Sequence, residues 1–92
     1  MFRKKILVID DTVLMQKIIC DILRAENYDI ITAGSGEEGL IKVAQEKPDL
    51  VLLDVVLPGI DGFEVCRILR DNDSNNLMPI IMITSQGDEE DK

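Results

Sequence analysis

Apolar residues recur along this chain in two alternating rhythms. Lys5-Ile6-Leu7-Val8-Ile9 is a short β-rich run that stops at Asp10-Asp11. From Thr12 to Glu26 the spacing becomes helical, with Leu14, Ile18 and Ile22 beside Met15, Ile19 and Leu23. Asp29-Ile30-Ile31-Thr32-Ala33 reads as a second strand. Ser35-Gly36-Glu37-Glu38 has the form of a capping box and opens a helix to about Lys47, which Pro48 ends. Leu50-Val51-Leu52-Leu53-Asp54 is a third strand, apolar on both faces, and Pro58-Gly59 marks a turn. Asp61 caps a helix from Gly62 to about Asp71, and a polar loop leads to a fourth strand, Ile80 to Thr84. The apolar stripes of the helices, Phe63, Cys66 and Leu69 among them, are read as core.

Strands and helices alternating at these lengths predict βαβ units: an α/β fold with a parallel sheet covered on both faces. The first, third and fourth strands, the most continuously apolar, are expected at the centre and the more polar second strand at an edge. After the fourth strand, Gly87-Asp88-Glu89-Glu90-Asp91 reads as a turn, a cap and an acidic first helical turn, followed only by Lys92. The expectation is a single domain over residues 1–92 that is incomplete at its C-terminus.

Composition narrows the function. Ninety-two residues with 46% apolar content can build one modest core. A net charge of −8 gives no basic footprint for nucleic acid beyond Arg3-Lys4-Lys5. No apolar stretch is long enough for a membrane span or a signal peptide, so the chain is read as cytoplasmic. The absence of histidine removes Cys/His zinc sites, a Ser-His-Asp triad and any histidine base. Cys20 and Cys66, set among aliphatic residues, are read as small buried hydrophobes.

The remaining chemistry is carboxylate chemistry. Asp10 and Asp11 follow the first strand and Asp54 ends the third. Ligands of open parallel sheets bind at the carboxyl ends of strands. If the first and third strands are neighbours, the three acids converge, and a divalent cation relieves their repulsion. All-oxygen ligands favour Mg²⁺ over zinc. Asp11 alone could be no more than a helix cap. Thr84, at the end of the fourth strand, could offer a hydroxyl to an anion on the same rim.

Three segments carry a family resemblance: Ile6 to Asp11, Leu52 to Gly62, and Pro79 to Ser85. Together they resemble the receiver domain of two-component response regulators. The resemblance implies a flavodoxin-like fold with strand order 2-1-3-4-5 and transfer of a phosphoryl group from a histidine kinase or phosphotransfer protein. Asp54 would be the phosphoacceptor and Thr84 the switch hydroxyl. Asp10, Asp11, Asp54 and the backbone carbonyl of Val56 would hold Mg²⁺, and Pro58-Gly59 would shape the adjoining loop. The family's fifth-strand lysine and switch aromatic have no counterpart in these residues. The implied order is therefore cut to 2-1-3-4, with the fifth strand and final helices absent, and with slow transfer and an uncoupled switch.

An exposed fourth strand leads to a further expectation, a homo-oligomer joined through that strand or by exchanged elements. The alternative is a receiver-derived fragment that serves only as a folding or interaction module. An enzyme acting on a diffusible substrate is disfavoured, since only acids are available as bases. A haloacid-dehalogenase-type phosphatase needs Asp-x-Asp, whereas these acids are adjacent. Asp71 to Asn76 begins like a calcium loop but has Asn where Gly is needed and Met82 where Glu is needed. Gly34, Gly36 and Gly39 do not form a dinucleotide fingerprint.

Overall fold

A computed structural model describes residues 3–72 and 77–83. Four strands and three helices follow in strict alternation: β1 (Lys5–Ile9), α1 (Val13–Ala25), β2 (Asp29–Ala33), α2 (Gly36–Glu46), β3 (Leu50–Asp54), α3 (Gly62–Asp71) and β4 (Ile80–Ile83). The strands form one parallel sheet in the order β2-β1-β3-β4, as in flavodoxin-like folds. Thr84 and the acidic segment Gly87 to Asp91 lie outside the described residues.

Strand register sorts the core. Leu7 lies opposite Val51, Ile9 opposite Leu53, and Leu53 opposite Met82. Side chains alternate along a strand, so these residues share one face. There they pack with Val43 of α2 and with Val65 and Leu69 of α3 in one buried cluster. Ile6 and Val8 point to the other face, where α1 lies against β1 and β2 with Cys20 buried.

The helix ends follow local chemistry. Ser35 Oγ accepts the Glu38 N–H at 3.1 Å, as a capping box requires. The return bond is displaced by one residue, because the Glu38 carboxylate accepts from Gly34 N–H at 2.8 Å. At the far end Lys47 takes a left-handed conformation, φ 49°, which closes α2 directly before Pro48. A residue before proline is kept out of the right-handed helical region. Asp61 caps α3 through the Glu64 N–H at 2.9 Å.

Two expectations need correction. Phe63 is 63% exposed because the first turn of α3 stands at the sheet's rim, although Leu69 is buried and Cys66 packs half-buried against the cluster. Leu14, Ile18 and Ile22 of α1 are also exposed, since only the other side of that helix meets the sheet. The order β2-β1-β3-β4 is the implied 2-1-3-4, and β2 takes an edge of the described sheet as its polarity predicts. Among the described residues no helix is long and apolar enough to cross a membrane.

Candidate functional site

β1 and β3 are adjacent and parallel, so their carboxyl ends open on one rim. Ile9 pairs with Leu53, which places Asp10 and Asp54 side by side one step further on. Both are sealed from solvent, at 0% and 1% exposure, while Asp11 is exposed. Carboxylate oxygens of Asp10, Asp11 and Asp54 lie within 4.8 Å of one another. The predicted trio therefore converges.

Each buried acid is oriented by the chain that follows it. Asp10 Oδ1 accepts from Thr12 N–H at 2.8 Å, and Asp54 Oδ1 accepts from Val56 N–H at 3.0 Å. Thr12 is the cap residue of α1, so Asp11 is not spent on capping. Val56 itself stands half-exposed in the loop after β3. Thr84 lies outside the described residues; Ile83, the last residue of β4, pairs with Asp54 and accepts the Val55 N–H at 2.9 Å.

Asp10 Oδ2 is buried and has no hydrogen-bond partner among the described residues. Burial pushes the Asp10 carboxyl above its ordinary range, and the nearby charges of Asp54 and Asp11 push the same way, against the Thr12 N–H. A buried carboxylate oxygen without a donor is costly to keep. A hard cation met by oxygen ligands from these acids would satisfy it, and the donor set fits Mg²⁺.

Two further residues support the rim. Gln16 Nε2 donates to the Asp10 carbonyl at 2.6 Å and to the Ala33 carbonyl at 3.3 Å, tying the ends of β1 and β2 to α1. Sequence reasoning passed over it, although a glutamine one turn before Cys20, on the sheet-facing side of α1, was a visible signal. On the other side, the Glu37 carboxylate accepts from Ile60 N–H at 3.3 Å. It also lies against Gly59, whose φ of +71° gives the Pro58-Gly59 turn its bend.

The family profile of the response regulator receiver domain matches residues 6–92. The chain is 47% identical over 90 residues to the alkaline phosphatase synthesis transcriptional regulatory protein PhoP of Bacillus subtilis (strain 168). That match takes in 98% of this chain and 37% of PhoP. It is 41% identical over 86 residues to the DNA-binding response regulator MtrA of Mycobacterium tuberculosis (strain ATCC 25618 / H37Rv), covering 94% of this chain and 36% of MtrA. This chain thus spans little more than a third of the length of these relatives. The solved structure of the chemotaxis response regulator CheY4 of Vibrio cholerae superposes with a TM-score of 0.88 at 28% identity, over 95% of this chain and 72% of that one. Sheet order, the acidic rim and a sequence match over nearly the whole length agree: the chain belongs to the response regulator receiver domain family.

Proposed function

We propose that this chain accepts a phosphoryl group on Asp54 from a histidine kinase or phosphotransfer protein. Asp10, Asp11, Asp54 and the backbone carbonyl of Val56 would hold Mg²⁺. One observation carries the reading: three carboxylates within 4.8 Å, one with a buried oxygen that has no hydrogen-bond partner among the described residues. Such a group is unfavourable by itself and becomes favourable around a cation.

The chain's own part in the chemistry is orientation. Val56 N–H fixes Asp54 Oδ1, which assigns Oδ2 as the attacking atom. The new bond joins Oδ2 to phosphorus as the donor's nitrogen–phosphorus bond breaks, and the leaving imidazole takes up a proton. Gln16 and the Thr12 N–H hold Asp10 in place, so little reorganisation accompanies transfer. When bound, Mg²⁺ neutralises charge between the acids and the incoming oxygens.

Thr84 is assigned the switch hydroxyl. Support comes from the pairing of Ile83 with Asp54, which brings the described end of β4 level with the acceptor. A phosphoryl group adds charge near −2 and new acceptor oxygens there, enough to draw a hydroxyl and bias the following loop. Signalling by this domain therefore rests on a modified aspartate, not on turnover of a diffusible substrate.

Incubation with phosphoramidate and Mg²⁺, followed by intact mass measurement, tests the reading. One adduct of about 80 Da, dependent on Mg²⁺, is expected. No adduct, with Mg²⁺ still bound, would leave a binding module in its place.

A further inference from the structure

The first turn of α2 carries two acids, Glu37 and Glu38, and only one of them closes its own helix end. Glu38 completes the cap: Ser35 Oγ accepts its N–H, and its carboxylate accepts from Gly34 N–H. Glu37 reaches instead to a distant part of the chain. Its Oε2 accepts from Ile60 N–H at 3.3 Å, across a separation of 23 residues. The carboxylate lies against Gly59, where a Cβ would stand 2.7 Å from Oε2. Gly59 has a φ of +71° and no side chain, so the carboxylate approaches its backbone directly. One residue back along α2, Gly36 makes room for Ile60, since a Cβ there would lie 2.7 Å from Ile60 Cγ1. The start of α2 is therefore fitted to the 58–60 turn by one apolar contact and one polar contact.

That turn belongs to the loop that leaves the acidic rim. The upstream half of the loop is well fixed. Val55 N–H donates to the Ile83 carbonyl, Val56 N–H donates to Asp54 Oδ1, and Leu57 is buried in the core cluster. The downstream end is fixed where Gly62 N–H returns to the Val55 carbonyl. Between these anchors, among the described residues, the Glu37 bond is the one that ties residues 58–60 to another element. Glu37 is exposed, so this bond adds little to overall stability. Its consequence is the path of the loop.

We propose, on the reading that Asp54 accepts a phosphoryl group beside Mg²⁺, that Glu37 is a positioning residue for the cation: its carboxylate clasps the Pro58-Gly59 turn and so sets the course of the chain through Val56. With the clasp released, the loop spends less time in the arrangement that binds the cation, and apparent affinity falls by that fraction. Asp10 and Asp54 keep their own backbone donors, so the chemistry of the loaded site is unchanged. A first-turn acid that only complemented the α2 dipole would act through its charge. A clasp needs an acceptor oxygen, which glutamine also carries.

Glu37→Ala and Glu37→Gln in the full chain separate the two roles. Isothermal titration gives Mg²⁺ affinity, and intact mass gives the initial rate of adduct formation from phosphoramidate. Amide exchange at Ile60 in metal-free protein reports the clasp itself, and circular dichroism checks folding. Glu37→Ala is expected to bind Mg²⁺ about three- to tenfold more weakly. It should need correspondingly more Mg²⁺ for half-maximal rate and reach the wild-type rate at saturation. Exchange at Ile60 should quicken, and Glu37→Gln should restore most of both effects. Glutamine and alanine variants that behave alike would reduce Glu37 to a partner of the helix dipole and overturn the proposal. Faster Ile60 exchange with unchanged Mg²⁺ affinity would overturn the link to the cation. Wild-type chain that neither binds Mg²⁺ nor forms an adduct would overturn the phosphoacceptor reading and the positioning role with it, whereas unchanged Ile60 exchange in Glu37→Ala would overturn the clasp alone.

Discussion

Gly62 and Asp54 stand so close that a Cβ on the glycine would lie 2.3 Å from the Asp54 carbonyl oxygen. The same Cβ would be 2.8 Å from Val55 Cα, and Gly62 N–H donates to the Val55 carbonyl at 2.9 Å. The first turn of α3 is thus pressed against the end of β3, where only glycine fits. Gly62→Ala forces backbone to move on one side or the other. Urea denaturation is expected to show a loss of about 1–3 kcal/mol. Mg²⁺ affinity is expected to fall with it, because the displaced strand end carries Asp54.

Gln16 is the polar tie between α1 and the strand ends. Gln16→Ala removes donors from the Asp10 and Ala33 carbonyls. A loss of about 1–2 kcal/mol is expected in denaturant melts. Isothermal titration should show Mg²⁺ bound several-fold more weakly, and the isosteric Gln16→Glu should not restore it, since a carboxylate cannot donate.

The pH dependence of the metal-free protein follows from Asp10. Its pKa is raised in the folded state, first by burial and then by Asp54 and Asp11. The folded protein therefore binds this proton more tightly than the unfolded chain. The stabilisation is fully present below the ordinary aspartate pKa and is lost as pH rises through the raised value. Melts in EDTA should show wild-type stability falling over that window, relative to Asp10→Asn. A flat difference between the two proteins would contradict the assignment.

Added Mg²⁺ reverses the penalty. With a Kd of about 1 mM, 10 mM Mg²⁺ contributes about 1.4 kcal/mol of stability. Thermal melts should rise accordingly for wild type and much less for Asp10→Asn or Asp54→Asn. Lowering pH should weaken the effect, because protons compete at Asp10.

Much of this was legible in the residues. All four strands and α3 were readable because their boundaries carry strong local signals: acids after β1 and β3, Pro48 before β3, and Asp61 at the α3 cap. The acidic site was legible for the same reason, since strand ends fix where their side chains gather. Periodicity is blind to what covers a helix. Leu14, Ile18 and Ile22 have the spacing of a core stripe, yet α1 offers that flank to solvent. Phe63 was misread because a rim position and a core position share the same helical phase. Gln16 went unread because its partners are backbone carbonyls, which leave no trace in residue type. The displaced Glu38 bond, too, was set by loop geometry and not by the capping motif.

The most direct test locates the modification. Hydroxylamine converts an aspartyl phosphate to a stable hydroxamate, which peptide mass spectrometry can place after treatment with phosphoramidate and Mg²⁺. The predicted result is a single hydroxamate at Asp54, absent without Mg²⁺ and absent in Asp54→Asn. A hydroxamate at Asp10 or Asp11 in the wild-type chain, or an undiminished one in Asp54→Asn, would contradict it.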